Sequence, residues 1–382
     1  MRFVSFLVGA LLFAVPAFSQ AAPLTSTLEV SGWIPYWRTA TGTSDVLPHM
    51  DTLTAIQPFG YIVQPSGELY DAAGLDSEPW VSLRATAKTK KVRFIPTVMW
   101  SDSAAMHTIL SNSASRQALA DKIANLVKQK DFDGIDIDFE NKWAETSPYF
   151  SLFLKGLYAR MGQKWVYCSI EPRTPLTSRY ESTPPEGAGV YANDYAEINK
   201  YCDRVLIMAY DQGAVDVRLN AAAPGPYIPV ADTAWVEKVM QLASQTISKK
   251  KLVLGIPTYG YEYAVTPLTE GYRYERLWAF NQKYAYDMAK SLGLTAVRNT
   301  AGEMSLTYIP TSTPKVGKVP RSSQAAGPAA ATIQPFNIMW WSDAVSIAQK
   351  VELAKKLGLK GVAIFKFDGG EDQRIWSVLS GT

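Results

Sequence analysis

Apolar residues along the chain gather into short β-rich runs separated by longer stretches of helical periodicity. Eight runs are legible: Val30 to Trp37, Leu53 to Val63, Lys91 to Met99, Phe132 to Phe139, Lys164 to Ile170, Arg204 to Tyr210, Lys251 to Pro257 and Lys360 to Phe367. In Ser115 to Lys130, the residues Leu119, Ile123, Leu126 and Val127 fall on one helical face. Ser342 to Leu357 carries a similar stripe of Ile347, Val351, Ala354 and Leu357, with Gly358 placed to stop the helix. Strands this continuously apolar belong to a parallel sheet covered on both faces. Eight strand-helix units predict an α/β chain closed into a (β/α)8 TIM barrel. One interval, Gly260 to Ile338, is far longer than the rest and predicts an α+β insertion between strands 7 and 8, at 261–338. Within it Leu277 to Leu292 reads as helix, Met304 to Ile309 as strand, and the Pro-, Ser-, Ala- and Gly-rich Thr311 to Ala331 as a loop.

The N-terminus bears on where this barrel works. Arg2 precedes an apolar run from Phe3 to Phe18, followed by the small residues Ser19, Ala21 and Ala22. The run is shorter than the ~20 residues a membrane span needs and reads as a signal peptide over 1–21, with the barrel domain over 22–382. A secreted or periplasmic protein with no stable membrane insertion is expected. In such a compartment Cys168 and Cys202 can pair, or they can remain inert core thiols; the spacing leaves both open. The two histidines, His49 and His107, stand in neither a metal-ligand nor a triad setting. With 47% hydrophobic and 19% charged residues, the chain can bury a large core. Lys plus Arg is 38 and Asp plus Glu is 35, a net charge of +3 too small for a nucleic-acid footprint. The 11 Trp and 20 Tyr suit stacking on neutral sugar rings as well as core packing. A monomer without cofactor or metal is expected.

The most informative segment is Asp133-Gly134-Ile135-Asp136-Ile137-Asp138-Phe139-Glu140. Side chains alternate along a strand, so Gly134, Asp136, Asp138 and Glu140 share one face and Ile135, Ile137 and Phe139 the other. The apolar trio should meet the helices, which sends three carboxylates into the barrel. Crowded and desolvated, they retain protons, and Glu140, nearest the C-terminal mouth, becomes a candidate general acid. Two other readings are a network neutralised by Lys or Arg from adjacent strands and a divalent-cation site. Aromatics at the ends of the runs, among them Trp37, Tyr61, Trp100, Trp143, Tyr210, Tyr259 and Phe365, would ring the mouth. Glu171 and Arg173, just past the fifth run, would either contact a substrate or pair with each other.

The spacing Asp133-Gly134-x-Asp136-x-Asp138-x-Glu140 resembles the signature of glycoside hydrolase family 18, the chitinase family. Met208-Ala209-Tyr210-Asp211 is similar to its Met-x-Tyr-Asp motif, and Gly255-Ile256-Pro257-x-Tyr259-Gly260 to its seventh strand. Pro224-Gly225-Pro226 and Gly370-Glu371-Asp372-x-Arg374-Ile375-Trp376 are closer to the branch of spore-cortex and peptidoglycan N-acetylglucosaminidases. The resemblance implies a glycosidase with Glu140 as general acid, Asp138 orienting the substrate acetamido group, Asp136 sharing a proton with Asp138, and Tyr210 steadying the acetamido oxygen. It places Asp211 on the same bound sugar, and implies substrate-assisted hydrolysis with retention, without a protein nucleophile. Substrate contacts are expected from Asp211, Trp37, Trp100, Trp143, Met208, Tyr259, Phe365, Glu171 and Arg173, on an N-acetylglucosamine-containing polysaccharide or oligosaccharide of chitin or peptidoglycan type. Two positions depart from the pattern: Pro96-Thr97-Val98-Met99-Trp100 lacks the usual Ser-x-Gly-Gly, and Phe365 stands where a Trp is usual. A carbohydrate-binding lectin on the same barrel is the alternative.

Overall fold

The computed structural model describes residues 28–310 and 334–382. The expected signal peptide and the Thr311 to Ala331 loop lie outside the described residues. Eight strands form the barrel: β1 (Glu29–Pro35), β2 (Ala55–Val63), β3 (Thr97–Trp100), β4 (Gly134–Phe139), β5 (Trp165–Ile170), β6 (Arg204–Ile207), β7 (Leu252–Pro257) and β8 (Gly361–Phe365). Every neighbouring pair is parallel, and β1 pairs with both β2 and β8, so the sheet closes. The third run is interrupted where the sequence suggests continuity. Arg93–Phe94 pairs with β2, the ladder breaks at Ile95 and Pro96, and β3 resumes at Thr97. Proline has no N–H to contribute there, while its carbonyl still accepts from Asp136 N at 2.9 Å.

Side-chain alternation sorts the barrel into two cores. Trp33, Phe59, Ile95, Tyr167, Leu206 and Val253 fill the interior. Ile135, Ile137 and Phe139 of β4 face outward into the larger strand-helix core, where Phe139 stacks on Phe153 of the helix Ser147–Met161 at 5.3 Å. Gly134 is small because a Cβ there would sit 2.3 Å from the Trp165 carbonyl of β5. The first helix expected from periodicity is Ser113–Gln129, started by the Asn112 side chain accepting from Ala114 N and Ser115 N. The second is Ala344–Leu357, opened by a reciprocal Asp343–Ser346 capping box and ended by Gly358 at φ 67°.

The stretch between β7 and β8 forms a separate five-stranded antiparallel sheet: Tyr259–Pro267, Tyr272–Asn281, Val297–Arg298, Met304–Tyr308 and Phe336–Trp341, with the helix Gln282–Leu292. A single residue, Thr258, separates β7 from its first strand and its last ends at Trp341, so this sheet reaches closer to the barrel than 261–338. Cys168 of β5 and Cys202, at the C-terminal end of the helix Tyr195–Tyr201, form a disulfide. Among the described residues, no helix is long and apolar enough to cross a membrane.

Candidate active site

The ladder on β4 runs inward as alternation requires, and each rung meets different chemistry. Asp136 is fully buried; one oxygen accepts from Trp33 Nε1 at 3.0 Å and Thr97 Oγ1 at 2.9 Å, the other from Ser169 Oγ at 2.8 Å. Burial pushes its carboxyl up, while these donors pull it back. Asp138, one rung higher, is buried with Oδ1 lacking any partner. Burial first, then the charges of Glu140, Asp136 and Glu171, raise its carboxyl well above the ordinary aspartate range. Glu140 stands at the top, half-buried, and is raised by burial, by Glu171 and by Asp211, against the opposing pull of Lys142.

Asp138 and Glu140 open into a cavity of about 340 Å³ lined also by Trp33, Phe59, Glu171, Pro172, Met208, Tyr210, Asp211 and Phe365. It sits at the C-terminal ends of the strands, the face on which barrel enzymes carry their chemistry. Tyr210 and Phe365 stack at 5.5 Å and 17°. Burial, followed by the Asp138, Asp211 and Glu140 charges, keeps the Tyr210 hydroxyl protonated far above neutral pH. Asp211 has a left-handed backbone, φ 56°, and its Oδ1 accepts from Tyr259 Oη at 2.5 Å and Tyr261 Oη at 2.8 Å. A second cavity of about 380 Å³, with Trp37, Arg38, Tyr259, Tyr261, Asn281 and Lys366, shares Asp211 and Phe365 with the first. A cavity of about 440 Å³ among Arg84, Arg93, Phe94, Asp131 and Asp133 lies where β3 and β4 begin, away from the ladder.

Thus Asp138, Glu140, Glu171, Met208, Tyr210, Asp211 and Phe365 converge on one cavity, Asp136 lies beneath it, and Trp37 (50% exposed) and Tyr259 line its neighbour. Three expectations need correction. Trp100 is 1% exposed and packs edge-on against Phe139 in the outer core, because β3 parity turns Thr97 and Met99 inward and Val98 and Trp100 outward. Trp143 is 43% exposed beside His107, outside the lining of both cavities. Arg173 neither reaches the cavity nor pairs with Glu171; its guanidinium lies 3.7 Å from the Tyr195 ring centroid and 4.2 Å from that of Tyr191. Glu171 accepts instead from Asn141 N at 2.9 Å, from Asn193 Nδ2 at 2.7 Å and from Lys142 Nζ at 3.4 Å.

Lys142, Trp33, Phe59 and Tyr261 are site residues that the sequence does not single out. Alternation in β1 could have turned Trp33 inward, and alternation after Tyr259 could have aligned Tyr261 with it. Lys142 lies in a loop, where no period marks it. It brings a cation to the ladder from the loop after β4 itself, rather than from adjacent strands. Among the described residues, no group of three or more His, Cys, Asp or Glu could hold a metal ion.

A closed parallel barrel with a carboxyl ladder opening onto stacked aromatics has the architecture of the barrel glycosidases. Residues 33–370 match the model for glycosyl hydrolases family 18, and the chain belongs to that family and is a glycosidase. It is 23% identical over 271 residues to the Uncharacterized glycosylase YvbX of Bacillus subtilis, a match covering 71% of this chain and 67% of YvbX. The spore cortex-lytic enzyme SleL of Bacillus megaterium QM B1551 superposes with a TM-score of 0.68 at 20% identity, over 94% of this chain and 74% of SleL. A class V chitininase from Pseudomonas fluorescens Pf-5 gives a TM-score of 0.69 at 22% identity, over 92% of this chain and 98% of that one.

Proposed function

We propose that this chain hydrolyses β-1,4 links beside N-acetylglucosamine units in a chitin- or peptidoglycan-type glycan, by substrate-assisted catalysis with retention and after export directed by residues 1–21. The observation that carries this reading is the contrast between neighbouring rungs. Asp136 is saturated by three donors, whereas buried Asp138, which lines the cavity, keeps its Oδ1 without a hydrogen-bond partner. An acetamido N–H would satisfy that oxygen, and leaving it bare costs roughly 1–3 kcal/mol. Tyr210 Oη, held neutral, donates to the acetamido oxygen. Glu140 gives its proton to the glycosidic oxygen as that bond to the anomeric carbon breaks. The substrate's own acetamido oxygen bonds to the carbon, and water later opens the ring, returning a proton to Glu140.

Mass spectrometry of products from chitin oligosaccharides and peptidoglycan fragments tests this beside Glu140→Gln. The wild type should release fragments with N-acetylglucosamine at a new reducing end. The variant should retain fold and binding while losing turnover by about 10²–10⁴-fold, the usual weight of a positioned acid. Binding without turnover by the wild type would assign the chain to lectins instead.

A further inference from the structure

Beside the acid stands an ion pair that the proposed reaction does not use. Lys142, two residues beyond Glu140, has a fully buried side chain. Its ammonium donates to the Phe139 carbonyl and to Glu171 Oε2, and lies 4.8 Å from the Phe150 ring centroid. A cation taken this far out of water needs a compensating charge, since a lone buried ammonium costs several kcal/mol. Glu171 supplies it from the loop after β5, its carboxylate fixed in place by hydrogen bonds from the Asn141 N–H and the Asn193 amide. Glu171 also lines the cavity beside Glu140. From the Lys142–Glu171 pair, opposite charges therefore reach one acid.

We propose that Lys142 and Glu171 are positioning residues, a buried ion pair whose two charges counterbalance each other at Glu140 and so set the pH range over which it can donate. The proposal rests on Glu140 being the acid. The charged and titratable groups facing Glu140 are Asp138 below it on β4, Glu171 after β5, Tyr210 and Asp211 after β6, and Lys142 in its own loop. Arg173 is set back behind Glu171 on its tyrosines. The signs follow from Coulomb's law. Removing the Lys142 cation leaves Glu171 as an uncompensated anion, which favours the protonated form of Glu140. Removing the Glu171 anion leaves the cation, which favours the ionised form. A general acid works only while protonated, so activity falls as pH rises through its titration.

The test is the pH dependence of kcat/KM for wild type, Lys142→Met, Glu171→Gln and the double variant on one N-acetylglucosamine oligosaccharide. The alkaline limb should move up in Lys142→Met and down in Glu171→Gln, each by roughly one pH unit, the lower end of what a charge at close range does. The double variant should return near the wild type. A merely structural pair would lower the whole profile without moving its limb. Unmoved limbs, or limbs moving in the same direction, overturn the proposal. Should Lys142→Met fail to fold, the near-isosteric Glu171→Gln carries the test alone, and an unmoved limb there is sufficient to refute it. Glu140→Gln run alongside separates the layers: its loss of turnover upholds the acid, so unmoved limbs then count against the pair only, whereas full turnover removes the acid reading itself.

Discussion

Asp138 is held in the site against its own electrostatic preference. Its carboxyl is raised by burial and by three neighbouring carboxylates, so the folded protein favours the protonated form more than the unfolded chain does. A carboxyl raised in this way contributes stability that is complete below the unfolded pKa and is lost as pH rises toward the folded one. Asp138→Asn should therefore melt at a higher temperature than wild type at pH 7, with the difference shrinking below pH 4, while its turnover collapses. Differential scanning calorimetry at both pH values checks it. Tyr210→Phe should instead leave the melting point unchanged, with kcat reduced by about 10²–10³, the effect of deleting one preorganised donor. The charged rungs were legible because alternation is a local rule. Lys142 was not, because a loop residue acquires its partners only once β5 is laid beside β4. Trp100 stands at a strand end, which suggests the mouth, but parity decides its side: Ile95, Thr97 and Met99 face the interior, and Val98 and Trp100 the outer core.

At the scale of elements, β4 and its neighbours explain why the ladder stays in register. Gly134 lets β5 approach at a point where a Cβ would strike the Trp165 carbonyl. The same strand is tied by Cys168 to Cys202 across 34 residues. Closing a loop of that size restricts the unfolded chain by about 3–4 kcal/mol. A Cys168→Ala/Cys202→Ala variant should lose stability of that order in denaturant titrations while its folded fraction keeps normal kcat, since neither sulfur lines the cavity. Barrel strands and the helices on the Leu119 and Ile347 stripes could be read in advance because periods of 2 and 3.6 residues are written locally. The pairing of the two cysteines could not, since it depends on where a helix end meets a strand.

For the whole molecule, closure brings the segment after β8 against the helix Thr39–Val46 after β1. There Glu371 is buried beside Asp45, which accepts from Gln373 Nε2 at 2.8 Å. Burial first, and then Asp45, pushes the Glu371 carboxyl from 4.5 to about 9. Its contribution to stability is complete below pH 4.5 and declines as pH rises to about 9. Glu371→Gln, which removes the titrating group from beside Asp45, should flatten that decline in melting temperature between pH 5 and 9.

The inserted sheet has a further consequence through Tyr259 and Tyr261. Their hydroxyls are the two donors that hold Asp211, and both sit on the first strand of that sheet. An engineer who trimmed the insert to obtain a minimal barrel would keep all eight parallel strands and Glu140, yet leave Asp211 untethered. The appendage and the Asp211 wall of the cavity therefore have to be transplanted together.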